Sequence, residues 1–142
     1  MEISENVKKL IQTQITKEYA SSLMYTGFAN WCEIKALKGF GTFFKKHAEE
    51  ELMHAQKFIT YLNDRGKFYP PATIEPPFTG FAGKGCVDFV IASLNQEQEV
   101  TKSIYEIYKA AESDGDYMSK EFLAWFVNEQ KEEENVFGDL LA

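Results

Sequence analysis

The chain predicts an all-α domain, a single four-helix bundle made of two antiparallel hairpins joined by one long crossover loop. Three observations carry this. Four long stretches keep an apolar face at steps of three and four residues, which is the helical period. The first and last breaks between them are short, whereas the middle break holds all four prolines. Each stretch also places an acidic residue near the middle of its apolar face. A bare carboxylate inside a bundle costs more than folding can offset, so it must be paired, protonated or bound to a metal.

Ser4 suits the cap of a first helix running to about Cys32, with the seam Val7, Ile11, Gln14, Glu18, Ser21, Tyr25, Phe28, Cys32. A polar break from Glu33 to Lys38 precedes the second helix. Its seam is Leu37, Phe40, Phe44, His47, Glu51, His54, Phe58, Tyr61, and it ends around Asn63 to Arg65, where Gly66 suits a left-handed stop. The prolines between Pro70 and Pro77, followed by Gly80, Gly83 and Gly85, mark the long loop. Residues 67–85 can reach about 60 Å when extended, and the second helix needs only about 42 Å. The loop therefore crosses the whole bundle and starts the third helix at the opposite end. That helix, from about Cys86 to Glu112, carries Val90, Leu94, Glu97, Thr101, Ile104, Tyr108. The turn Ser113 to Asp116 leads into a fourth helix from Tyr117 to the end, with Leu123, Phe126, Gln130, Glu133, Phe137, Leu140. Short first and last connections make the two hairpins antiparallel.

With 142 residues, the chain is expected to form one domain over 1–142. A formal net charge of -7 argues against nucleic acid as the main partner. The two cysteines, Cys32 and Cys86, show neither CxxC nor disulfide-framework spacing and read as buried or partly buried thiols. The N-terminal stretch lacks a signal-like apolar region and no run reaches membrane-spanning length, so no membrane partner and a cytoplasmic location are expected.

A mid-helix residue keeps its height whether its helix points up or down, so Glu18, Glu51, His54, Glu97, Gln130 and Glu133 fall in one layer. Glu51-Leu52-Met53-His54 sets a carboxylate and an imidazole one turn apart on one face, a helical metal chelate. Carboxylates suit hard ions and imidazole favours transition metals, a combination that fits iron. No Lys or Arg lies on the four seams to neutralise these acids. His47 reads as a core or inter-helix hydrogen-bonding residue, and Glu49 and Glu134 as solvated.

The strings KEYASSLMY, KKHAEEELMHAQKFITYLNDRG, NQEQEVTKSI and FLAWFVNEQKEEE resemble the four helices of the non-haem bacterial ferritins, in order and over nearly the whole chain. The resemblance implies a ferritin-like bundle that oxidises Fe(II) with dioxygen or hydrogen peroxide and stores Fe(III). It implies a first iron held by Glu18, Glu51 and His54, and a second, bridged by Glu51, held by Glu97 and Glu133. Gln130 matches the family's site-lining glutamine. Glu50, Glu129 and Glu132 match a third iron site, and Tyr25 and Trp125 match aromatic residues beside the centre. Haem-binding relatives and rubrerythrins repeat E-x-x-H on the fourth helix, where this chain has Gln130-Lys131-Glu132-Glu133. The haem-ligating Met is replaced by Leu52, so no haem is expected. Ferritins of this type continue into a fifth helix at the fourfold axis, whereas this chain stops at Ala142. The expectation is at least a dimer, and a 24-subunit cage only if two-fold and threefold contacts suffice. Two other readings stay open: a small di-iron oxidase or peroxide scavenger without storage, and a non-catalytic structural subunit.

Overall fold

The computed structural model describes residues 2–142 and consists of four helices. These are α1 (Glu5–Ile34), α2 (Lys38–Asp64), α3 (Cys86–Ser113) and α4 (Tyr117–Leu141). Ser4 caps α1 by accepting a hydrogen bond from the Val7 amide at 3.1 Å. Asp116 caps α4 in the same way through the Ser119 amide at 3.1 Å. α1 packs most extensively on α2 and α3 on α4, and α1 also packs on α3.

Two apolar clusters show which way each helix runs. One gathers Val7, Ile11 and Ile15 of α1 with Ala55, Phe58 and Leu62 of α2, Val100, Ile104 and Ile107 of α3, and Leu123 and Phe126 of α4. The other gathers Met24, Tyr25 and Phe28 with Phe44 and Ala48, Phe89 and Val90, and Phe137. The start of α1 and of α4 therefore shares an end of the bundle with the finish of α2 and of α3. α2 and α3 run the same way, which only a full-length crossover permits. That segment climbs along α1: Gln12 donates to the Phe68 carbonyl at 2.7 Å, Thr16 and Tyr69 share a hydrogen bond at 2.8 Å, and Phe78 and Phe81 pack edge-on against Phe28. A Cβ on Gly27 would lie 3.3 Å from the Phe81 ring, so a glycine lets the crossover lie close to α1.

Three helices end in the same backbone motif. After α2 the amides of Gly66 and Lys67 reach back to Asn63 and Leu62, and after α3 those of Gly115 and Asp116 reach Glu112 and Ala111. After α1 the amides of Ala36 and Leu37 do the same to Glu33 and Cys32. The motif puts its central residue in the left-handed region, with φ 73 at Gly66 and φ 67 at Gly115, but φ 59 at Ala36. A Cβ there costs about 1–2 kcal/mol. Ala36→Gly should therefore raise stability by roughly 0.5–1 kcal/mol, the relief being partly offset by the greater freedom of unfolded glycine. Denaturant melts check it, and an unchanged or lowered midpoint contradicts it. The sequence placed the left-handed stop at Gly66 and the turn Ser113 to Asp116 correctly and ended α1 about two residues early, because alanine carries no signal for this conformation.

Candidate metal centre

Between the two apolar clusters lies a polar layer to which every helix contributes. Each contributing residue lies on the buried stripe of its helix, so the packing that forms the core also carries the charges inward. Glu18, Glu51 and Glu97 are 0% exposed, and His54 and Glu133 are each 4% exposed. Among the described residues three groups have ligand atoms mutually within 4.8 Å: Glu18–Glu51–His54, Glu51–Glu97–Glu133 and His47–Glu50–Glu133. The first two bring together the five residues expected to hold paired metals, with Glu51 common to both.

The third group differs from the set that resemblance supplied. Glu50 is joined by His47 and Glu133, whereas Glu129 is half-buried, Glu132 is exposed, and neither belongs to any of the three groups. Both still lie in the same field. Burial raises the Glu129 pKa, and after an opposing effect of His54 the charges of Glu133, Glu132 and Glu50 add to the rise. His47 lies in the core, one of the two roles expected for it. Its Nδ1 lies 3.3 Å from a Glu133 oxygen and 3.9 Å from Glu50 but has no hydrogen-bond partner. Its ring sits among Phe43, Tyr25 and Phe137.

Among the described residues, the buried side-chain atoms that lack hydrogen-bond partners all fall in this layer: Glu18 Oε2, His47 Nδ1, both oxygens of Glu51, His54 Nδ1 and Glu133 Oε2. His54 Nδ1 is 3.3 Å from Glu51 and 3.7 Å from Glu18, but those contacts lack hydrogen-bond alignment. Buried polar atoms are nearly always satisfied. Oxygen and imidazole donors left open together are what a hard or borderline transition-metal cation requires.

Glu18 Oε1 and both oxygens of Glu97 are tied down. Gln14 donates to Glu18 Oε1 at 2.9 Å and accepts from Ser103, which in turn accepts from Lys17 at 3.0 Å. Tyr25 donates its hydroxyl to Glu97 Oε2 at 2.9 Å. Gln130 donates toward Glu97 Oε1 at 3.4 Å and the Glu97 carbonyl at 3.2 Å, so it holds a ligand candidate in place. Thr101 contacts Glu134 Oε2 at 2.6 Å, which makes Glu134 half-buried and bonded rather than solvated. Trp125 stands edge-on to His54 at 5.5 Å, with the Lys57 ammonium 3.9 Å from its ring centre. The Gln14–Ser103 link, which joins positions 89 apart, was not legible in the sequence.

Crowding acids into a dry layer splits the proton affinities of Glu18, Glu51 and Glu97. Burial, then the charges of Glu97 and Glu18, pushes the Glu51 pKa well above the carboxylate range. Burial, then Glu133 and Glu18, raises Glu97 to about 8. Burial also acts upward on Glu18, but contacts with Glu51, His54 and Gln14 outweigh it and leave that group lowered. Burial acts downward on His54, yet Glu18 and more distant acids raise it on balance. Burial, then Glu97 and Glu51, lifts Tyr25 well above 10, so it stays a neutral donor.

A pH dependence follows for the metal-free protein. From the ordinary glutamate value of 4.5 up to about 8, folded Glu97 keeps a proton that the unfolded chain has lost. The folded state holds more protons across this window, so stability falls as pH rises through it. Raised His54 acts in the same direction, and lowered Glu18 loses its contribution only in more acid solution. Thermal melts should show a lower midpoint at pH about 8 than at about 5.5, and Glu97→Gln, neutral throughout, should shrink that difference. A midpoint that rises over the same interval contradicts this electrostatic account.

Fold and site together define a crossover four-helix bundle with a buried carboxylate–histidine cluster that could hold metal. A sequence model for the family described as "Ferritin-like domain" matches residues 8–142, and the chain belongs to the ferritin family. It is 36% identical over 135 residues to a bacterial non-heme ferritin of Staphylococcus aureus (strain USA300), covering 95% of this chain and 80% of that protein. A probable bacterial non-heme ferritin-like protein of Haemophilus influenzae is 34% identical over 139 residues, covering 98% and 83%. Among solved structures, Chlorobium tepidum ferritin superposes with a TM-score of 0.91 at 30% identity, over 98% of this chain and 84% of that one. An open-pore ferritin from Archaeoglobus fulgidus does so with the same TM-score and identity, over 97% and 84%. Among the described residues, no helix is long and apolar enough to cross a membrane.

Proposed function

We propose that this protein takes up Fe(II), oxidises it at a paired-metal centre and retains the Fe(III) for storage. The observation that carries the reading is Glu51, fully buried, with both oxygens unpartnered, and common to two ligand groups that share no other residue. Glu18, Glu51 and His54 would hold one Fe(II), and Glu51, Glu97 and Glu133 the other. Two Fe(II) ions give two electrons to dioxygen and, with two protons, yield two Fe(III) and hydrogen peroxide. Tyr25 and Gln130 position Glu97, while Gln14 fixes Glu18. The split proton affinities let Glu51 and Glu97 give up protons as cations enter, so binding is coupled to proton release.

The structural-subunit reading finds no support in the charges. Lys17, which reaches toward this layer, ends on Ser103 and not on a carboxylate. Glu50, with His47, Glu129 and Glu132 around it, offers the oxidised ion an outward path from Glu133, the member shared with the paired site. Haem has no place in this reading, and the pair is the reactive unit.

Storage requires self-association, which we place at a dimer or larger. The structural relatives include an open-pore ferritin and a closed form of it made by site-directed mutagenesis, so closure varies within the fold. Anaerobic Fe(II) titration on a sample of known mass, followed by addition of oxygen, tests site and assembly together. Two tight Fe(II) per chain, fast oxidation and a dilution-stable oligomer are expected. Fast oxidation by a strict monomer would remove storage and leave a small di-iron oxidase. Absence of tight Fe(II) binding would remove both.

A further inference from the structure

We propose that Cys86 and Cys32 form a hydroperoxide-reactive thiol pair that closes to an intrachain disulfide, a modification site separate from the metal centre. The two sulfurs face each other at 4.0 Å across the α1–α3 contact, and both are free thiols. Cys32 lies about four turns beyond Glu18 and Cys86 about three turns before Glu97, so neither belongs to the metal layer. A disulfide needs the sulfurs at about 2.05 Å, a closure of roughly 2 Å. Cys86 has room to supply it: it is half-buried and opens α3 directly after the crossover, which turns at Gly83 with φ 73. Cys32 is 0% exposed, within the cluster of Phe28, Phe44 and Phe89.

That asymmetry assigns the order of events. Hydrogen peroxide reaches Cys86 first. Its sulfur, as thiolate, attacks one peroxide oxygen; the O–O bond breaks, the other oxygen leaves as water after taking a proton, and Cys86 becomes a sulfenic acid. The Cys32 sulfur then attacks the Cys86 sulfur, the S–S bond forms, and the S–O bond breaks with loss of a second water that carries the Cys32 proton. Two thiols and one peroxide thus give one disulfide and two waters, with two electrons passing from sulfur to oxygen. Burial, then the neighbouring Cys86 sulfur, raises the Cys32 thiol to about 12, so it stays protonated and inert until the sulfenic acid forms beside it. The bond would close a covalent loop around α2 and the crossover, fastening the start of α3 to the end of α1. None of this depends on the iron reading, because the peroxide can come from any source.

The test uses the metal-free full-length protein in its native assembly, reduced, freed of reductant and treated with excess hydrogen peroxide. Intact mass should fall by two hydrogens per chain, both thiols should disappear, and the chain should stay single on a non-reducing gel. The thermal midpoint should rise by on the order of 5–10 °C, as expected for cross-linking a long loop. Cys32→Ser should stop at a sulfenic acid on Cys86 that dimedone captures. Cys86→Ser should leave Cys32 reacting at least about tenfold more slowly. Persistence of both thiols, oxygen addition without loss of hydrogens, or cross-links between chains would each overturn the proposal. The wild-type mass measurement decides it even if either variant folds poorly.

Discussion

Glu51→Ala is expected to cut the initial rate of Fe(II) oxidation by more than the roughly 10–100-fold that loss of an outer-shell partner costs, while the protein stays folded and helical. His54→Ala should do the same. The expectation on rate follows from Glu51's place in both halves of the paired site: its removal disables both at once, whereas Glu18, His54, Glu97 and Glu133 each serve one half. The expectation on folding follows from the open lone pairs of Glu51. A buried acid without a partner opposes folding, so truncating it removes an electrostatic cost that offsets the small void left behind. Stopped-flow oxidation assays and circular dichroism on the same samples give both readouts. Wild-type rates in Glu51→Ala would sink the paired-metal assignment, and a large loss of helicity in both variants would favour buried structural pairing.

Glu133→Ala should separate binding from oxidation. The group Glu18–Glu51–His54 does not include Glu133 and should still take about one Fe(II) per chain, whereas the other two groups both lose a member. Two-electron chemistry needs two ions in place together, so rapid oxidation should fall with it. Anaerobic titration gives the stoichiometry, and Mössbauer or near-infrared circular dichroism spectra report whether two ions are coupled. An intact coupled pair in this variant would refute the ligand set.

The sequence showed the acids because each one interrupts an otherwise apolar seam near mid-helix, and interruptions at equal height in four helices mark a layer. It showed the crossover because the prolines fall together and the other connections are short. Other features were hidden by the limits of one-dimensional pattern. Periodicity puts His47 on the inner face of α2 but does not say which neighbour it meets, and that depends on how α2 is rotated against α4. The Gln14–Ser103 link and the facing Cys32 and Cys86 sulfurs join positions 89 and 54 apart, brought together only by the path of the crossover. Ala36 hid a left-handed turn because its side chain disfavours the conformation it adopts.

The polar layer has a mechanical consequence. By cutting the interior into two apolar blocks, it leaves each helix anchored at both ends and held at the middle chiefly by the groups around the acids. Local opening in such a molecule is then expected to follow its upper and lower cross-sections, which amide exchange along each helix would show. A pair of cations that together gather ligands from all four helices would act as a rivet between those halves. Loading the protein would then change how far a local opening at one end spreads to the other, even where the helices themselves do not move.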